Sequence, residues 1–376
     1  MEWRVPLSDI RVDDELLDAA REVLASGWWS MGPRVAELER AFADLCGTRD
    51  GVAVSSGTAA LHLALLACDC GPGDEVVLPS LNFVAAANVI RHTGAQPVFC
   101  DIVGEHDLNL DPDDLASAVT ERTKALLVLH YAGFPCDMDG VLDIARRYGL
   151  RVIEDAAHAP GARCGGRPTG SLGDVGCFSF FSNKNLPIGE GGMIVTNDEA
   201  LAAQIRLLRS HGMTTLTWDR HRGQAHTYDV IARGFNYRLD EVHAALGLVQ
   251  LRRLAAGNEA RRRLADRYRQ RLSTADGLTV PFADPMEGNS SAHHLQVVLL
   301  PERKNRDVVR EALNSSGIQT SVHYPPIHQF SEHRAAATRP LPRTDEVADR
   351  LLTLPLYPHL EMEQVDAVVG ALLADF

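Results

Sequence analysis

HExxH, a Walker A loop and GxGxxG are all missing from this 376-residue chain. Their absence removes the signatures of zincin proteolysis, P-loop nucleotide hydrolysis and Rossmann dinucleotide binding. The nearest glycine-rich stretch, Gly189-Glu-Gly-Gly192, has the wrong spacing for a dinucleotide fingerprint, so hydride transfer through a nicotinamide has no support. Basic residues are in deficit: 37 Lys+Arg stand against 50 Asp+Glu, a formal net charge of −13. Such a balance excludes nucleic acid as the main partner, because phosphate contacts need a basic face. No apolar run approaches the roughly 18 residues of a membrane helix. The opening MEWRVPLSDI lacks the basic and apolar regions of a secretory signal, so no membrane and a cytoplasmic location are expected. The 7 cysteines are odd in number and scattered, with only Cys68 and Cys70 close together. Reduced thiols and no metal site follow.

What is present is an ordinary globular composition, 45% hydrophobic and 23% charged. A chain this long buries about three quarters of its unfolded surface and needs no staple. In the first half, strand-like and helix-like segments alternate. Leu16, Leu17, Ala20, Val23 and Leu24 have helical spacing, and a second helix starts at Pro33 and stops near Gly47. Strands over 52–54, 76–78, 97–99, 125–129 and 151–153 are separated by helices, one of them opening at Gly57-Thr58. This pattern predicts an α/β fold with a mainly parallel, doubly wound sheet. Residues 240–272 read as one long or two consecutive helices. Beyond Gly277 come a strand over 294–300, a helix over 304–316, a strand from Ile318 to Val322 and a final helix over 361–373. The expected division is a large domain over 1–250 and a long connecting helix with a smaller α+β domain over 251–376.

Open α/β sheets bind ligands beyond the carboxyl ends of their strands, and four segments stand there. Ser55-Ser-Gly-Thr-Ala-Ala60 precedes an apolar helix and either points the Thr58 and Ala59 amides at an anion or is a simple cap. Val152-Ile-Glu-Asp-Ala-Ala-His158 brings a carboxylate, Asp155, to a strand end, unless that Asp caps a helix. Lys184 follows the aromatic-rich Cys177-Phe-Ser-Phe-Phe-Ser-Asn183 and precedes a glycine loop, surroundings that desolvate an amine toward nucleophilic reactivity. Ser179, on the preceding strand, adds a hydroxyl. In Arg233-Gly-Phe-Asn-Tyr-Arg-Leu-Asp-Glu241, Asp240 opens the long helix and Asn236 shapes the turn. A strand-end Asp, a loop Lys and an anion cup together match the needs of pyridoxal phosphate: an amine for a Schiff base, an acid partner for the pyridine nitrogen and donors for the phosphate.

With Ser26-Gly-Trp-Trp-Ser-Met-Gly-Pro33, Ser56-Gly-Thr-Ala-Ala-Leu61, Gly73-Asp-Glu-Val-Val-Leu-Pro79, Glu154-Asp-Ala-Ala-His158, Gly234-Phe-Asn-Tyr-Arg238, His323-Tyr-Pro325 and Leu354-Pro-Leu356 in this order, the chain resembles the DegT/StrS sugar aminotransferases. That resemblance implies the three-layer sandwich of fold type I, the aspartate aminotransferase superfamily. It implies Lys184 as the Schiff-base lysine, Asp155 as the pyridine-nitrogen partner and His158 near the phenolic oxygen. Phe83 would stack on the ring, and Gly57, Thr58 and Ser179 would hold the phosphate, with Ala59 an extra backbone donor. Asn236 matches the residue a neighbouring subunit lends to that phosphate, which implies a homodimer with shared active sites. Phe181-Ser-Asn183 departs from the His and small residues of many relatives. Lys184 argues against the dehydratase branch, which has histidine there.

The implied reaction moves an amino group from an amino acid, glutamate by resemblance, to a nucleotide-activated keto sugar, with a 4-keto-6-deoxyhexose favoured. Residues 210–222 resemble the loop of relatives acting on such sugars. Arg220 and Arg222 would meet a diphosphate or lie on an exposed basic loop, and His323 would touch the sugar or build the small-domain turn. The alternatives are an inosose-type cyclitol or other ketone as acceptor, and a pyridoxal-phosphate-binding regulator without turnover.

Overall fold

A computed structural model describes residues 3–215, 218, 223, 227–283 and 287–374. Seven strands form the central sheet: β1 (Asp50–Val54), β2 (Glu75–Pro79), β3 (Gln96–Cys100), β4 (Thr123–Leu129), β5 (Arg151–Asp155), β6 (Val175–Ser179) and β7 (Gly192–Thr196). Their order is β1-β7-β6-β5-β4-β2-β3. Only β7 runs against the rest, pairing antiparallel with both β1 and β6. The other pairs are parallel.

Eleven α-helices occur among the described residues. Those of the large layer are α1 (Asp14–Ser26), α2 (Pro33–Cys46), α3 (Gly57–Ala67), α4 (Ala85–Thr93), α5 (Pro112–Ala118), α6 (Met138–Tyr148) and α7 (Glu199–Arg209). Strand alternation sorts the core into two sides. Val52, Val76, Leu127, Ile153, Cys177 and Ile194 pack with α3, α4 and α7. Their neighbours in sequence face the other way: Ala53 and Met193 join α2, and Val77, Leu126 and Val152 join α5 and α6. The result is the expected three-layer α/β sandwich. Helix α3 is buried nearly all round, which fits its run Ala59 to Leu65, apolar but for the buried His62.

Residues 240–272 resolve as one helix, α8 (Glu241–Leu272), capped by Asp240, whose carboxylate accepts the His243 N–H at 2.9 Å. The first turn of α8 also serves a distant helix. Gly32, at the start of α2, has no side chain to cap it, and the Glu241 carboxylate accepts the Arg34 and Val35 N–H groups instead, each at 2.9 Å. Near its start α8 packs Ala244 and Leu248 against α2; further along, Leu264, Tyr268 and Leu272 enter a separate cluster. That cluster holds β8 (Gln296–Leu299), α9 (Arg306–Ser315), β9 (Leu351–Leu354) and α11 (Met362–Leu373), while α10 (Pro342–Ala348) lies between. Val5 belongs to the same cluster and bridges to Ile318.

Ile318 to Val322 is not the strand the sequence predicts. Ile318 bridges to Val5 and Ser321 to Thr353, so the segment changes partner within three residues and no continuous ladder forms.

Candidate active site

Chain direction brings one set of loops to one edge of the sheet. The segments after β1, β2, β5 and β6, the last residue of β4 and the loop leading into antiparallel β7 all line a cavity of about 350 Å³. Gly57 and Thr58 enter from the first, Asn82 and Phe83 from the second, Asp155 and His158 from β5, and Ser179, Asn183 and Lys184 from β6. His323 and Tyr324 close it from the C-terminal part. Eight of the expected residues outside the 210–222 loop therefore line one space; two do not.

Ala59 is the first exception. Its N–H donates to Ser56 Oγ at 3.0 Å, so it is engaged in the helix cap. Ser56 caps α3, while the Gly57 and Thr58 amides have no partner among the described residues. Gly57 also permits a close approach, since a Cβ there would sit 2.8 Å from Ser179 Cβ. Asn236 is the second. It is exposed, bridges to Ser210 and does not line the cavity. Arg220 and Arg222 lie outside the described residues.

Asp155 and Glu154 are adjacent but face opposite sides of β5. Glu154 accepts the Gly170, Leu172 and Gly173 N–H groups, each at 2.7 Å, and one proton from His130. His130 Nδ1 accepts the Cys136 N–H at 3.2 Å, so its Nε2 is the donor to Glu154, at 2.9 Å. Among the described residues Asp155 accepts only the Ala157 N–H, at 3.1 Å, and the residue lines the cavity with oxygen capacity to spare. Burial pushes the Asp155 carboxyl up, opposed by that amide and by the Lys184 charge.

Lys184 is the amine of this site; Lys124 and Lys304 are the other lysines of the chain. Burial lowers its pKa to about 8 against the pull of Asp155. Its Nζ lies 3.5 Å from Nε2 of His294, a residue sequence reasoning passed over. The sequence pattern makes His294 the first residue of a strand, and only its doublet with His293 sets it apart. Tyr324 is a second omission: its hydroxyl lies 2.8 Å from His158 Nε2, and its ring centroid is 5.5 Å from that of Phe83. Three buried polar atoms of the residues lining the cavity have no partner among the described residues: His158 Nδ1, Asn82 Nδ2 and Asn183 Oδ1. His323 Nδ1 lies 3.0 Å from Thr353 Oγ1, and burial lowers the pKa of His323 to about 4. A second cleft, about 410 Å³, opens between residues 8–13 and α8 and reaches Lys184 from another direction.

A desolvated amine, a carboxylate with free lone pairs, unpaired amides at a helix start and an aromatic ring define a site for an anionic, aldehyde-bearing aromatic cofactor. The DegT/DnrJ/EryC1/StrS aminotransferase family matches residues 11–373. The spore coat polysaccharide biosynthesis protein SpsC of Bacillus subtilis (strain 168) is 40% identical over 375 residues, covering 98% of this chain and 96% of that protein. DesV of S. venezuelae, solved in complex with a ketimine intermediate, superposes with a TM-score of 0.90 at 38% identity over 99% of this chain and 98% of that one. DesI, solved in the presence of its TDP-sugar product, gives a TM-score of 0.88 at 35% identity over 99% and 92%. The chain belongs to the DegT/DnrJ/EryC1/StrS family, as a pyridoxal-phosphate-dependent sugar aminotransferase.

Proposed function

We propose that this enzyme transfers the amino group of an amino acid, glutamate in the first instance, to a nucleotide-activated 4-keto-6-deoxyhexose, with Lys184 as its catalytic residue. The observation that carries the reading is the convergence of a buried, depressed-pKa lysine and a buried aspartate in one cavity. The nucleotide sugar rests on the relationship to DesI, which was solved with a TDP-sugar product.

The residues present fit pyridoxal phosphate. Gly57, Thr58 and Ser179 would hold its phosphate at the start of α3. Asp155 would keep its ring nitrogen protonated, Phe83 would cover the ring, and His158 would stand by the phenolic oxygen. When bound, the cofactor supplies an electron sink for the carbanion formed at the amino-acid α-carbon.

Lys184 moves the proton. At pH 7 an amine of pKa about 8 is roughly one-tenth unprotonated, whereas one at 10.5 is unprotonated on the order of three parts in ten thousand. Lys184 Nζ would therefore take the proton from the donor's α-carbon as a base and, once protonated, deliver it as an acid to the cofactor's C4′ instead of back to that carbon. Asp155, in the same cavity, has spare lone pairs that would accept a proton-bearing ring nitrogen. The buried, neutral His158 and His323 add polarity without charge. Phe83 and Phe181 are 53% and 45% exposed at the mouth, and Asn236 is exposed as well. A second copy of the chain covering this face would bury these rings and bring its own Asn236 to the phosphate, which makes the working unit a homodimer.

Glutamate added to the cofactor-loaded enzyme should bleach the visible band and release oxoglutarate. The amine form of the enzyme should then aminate a nucleoside-diphosphate 4-keto-6-deoxyhexose and not an inosose. Amination of the inosose alone would replace the sugar reading with a cyclitol one. No oxoglutarate at all would leave a cofactor-binding regulator.

A further inference from the structure

Behind Lys184 runs a chain of side chains whose hydrogen-bond direction is set at its far end. Asn258 Nδ2 lies 2.9 Å from the Pro160 carbonyl oxygen, and Asn185 Nδ2 lies 2.7 Å from that of Ala292. Carbonyl oxygens only accept, so both amides are oriented with nitrogen toward them. Asn258 Oδ1 then accepts the second Asn185 N–H at 2.8 Å. With both of its protons committed, Asn185 has only its oxygen left for His294 Nδ1, 3.0 Å away. His294 Nδ1 must carry the hydrogen. In a neutral ring Nε2 is then a bare lone pair, and it faces Lys184 Nζ at 3.5 Å.

The surroundings hold that ring neutral. His294 is 3% exposed, and its own N–H and C=O are engaged by Ala132 and Arg261. Every charged or titratable group acting on it opposes a further proton: Lys184 from the loop after β6, His158 from β5, Arg261 from α8 and His323 from the C-terminal part. The His158 ring packs against it at a centroid separation of 4.5 Å.

We infer that Asn258, Asn185 and His294 form a tautomer lock that presents a hydrogen-bond acceptor to the Lys184 amine. His294 is thus the positioning residue that keeps this amine in place whenever it is not bonded to the cofactor. The inference deepens the assignment of Lys184 above. Without such an acceptor, a long flexible lysine released into a cavity would have many rotamers to search before its next proton transfer. An acceptor also favours the protonated amine and so partly offsets burial, keeping its pKa near neutrality.

The test reads Lys184 directly. Full-length protein loaded with pyridoxamine phosphate, which leaves the lysine free, is labelled with isotopic formaldehyde and cyanoborohydride across pH. Peptide mapping follows, with Lys124 and Lys304 as references. His294→Leu should lower the Lys184 midpoint by about one pH unit, a tenfold change in reactive fraction at fixed pH. Asn185→Leu should shift it in the same direction by less, and His294→Gln, which still offers an oxygen, should restore it. An unchanged midpoint in both leucine variants overturns the proposal. A measurement without any variant guards against misfolding: long-range 15N–1H correlation on histidine-labelled protein should show His294 as the Nδ1–H tautomer, and an Nε2–H pattern overturns the lock. Borohydride reduction of the pyridoxal-phosphate-loaded enzyme separates the two levels. A tag on another lysine would remove the catalytic assignment of Lys184, while the tautomer measurement would still judge the lock.

Discussion

Glu154 and Asp155 sit side by side on β5, yet they show the difference between a carboxylate that builds the fold and one that is available for chemistry. Glu154 is saturated by three backbone N–H groups and His130. Asp155 receives one amide among the described residues and lines the cavity with lone pairs to spare. Strand alternation sends the first into the α5–α6 side and the second to the α3 side, beside Cys177 and Ser179. The lesson is that burial alone does not mark a functional group. An incomplete hydrogen-bond shell next to a cavity does.

The sharpest way to test that contrast is at the amine opposite Asp155. Lys184→Ala should lower the glutamate half-reaction by more than about a thousandfold and remove the visible cofactor band, read by stopped-flow absorbance. Next come the two carboxylates themselves. Glu154→Leu would strand three buried N–H groups and His130, and should cost about 3–5 kcal/mol in denaturant unfolding. Asp155→Asn still accepts from Ala157, so its stability should stay within about 1 kcal/mol while turnover drops roughly a hundredfold. Equal stability losses in both variants would erase the distinction.

Proton linkage gives smaller effects with definite signs. The folded pKa of Lys184, about 8, lies below its ordinary 10.5. Between these values the unfolded chain binds more protons, so the cofactor-free protein should gain stability as pH rises from about 8 to 10.5, and Lys184→Met should flatten that rise. His293 and His323 are lowered from 6.5 to about 4 by burial. Their neutral forms are the native ones, so stability should fall as pH drops from 6.5 toward 4, and glutamine at either position should shallow the acid limb of a melting-temperature profile. The smallest effect belongs to the α3 cap: Ser56→Ala should cost about 1 kcal/mol and free the Ala59 amide, measured by thermal unfolding.

Most of the site could be read in the sequence because its parts lie at strand ends, where short local patterns mark them. Asp155 closes an apolar strand, Lys184 follows an aromatic one, and Gly57 opens a helix. His294 was hidden for the opposite reason. It is 110 residues from Lys184 in sequence, and its meaning depends on two asparagines and two carbonyls that meet it only after folding. Ala59 was expected to donate to a phosphate, but a hydroxyl three residues earlier reaches its amide first. Ile318 to Val322 has the composition of a strand, yet its neighbours give it two different partners.

Periodicity and punctuation in the chain determined the alternating layers, the long α8 helix and the residues brought to the carboxyl edge of the sheet. These depend on local backbone preference and on which side chains avoid water. Tertiary structure alone decided which carboxylate on β5 is satisfied, that Glu241 caps a helix about two hundred residues away, and which nitrogen of His294 carries the proton. Those outcomes turn on hydrogen bonds between groups far apart in sequence, whose geometry exists only once the chain has packed.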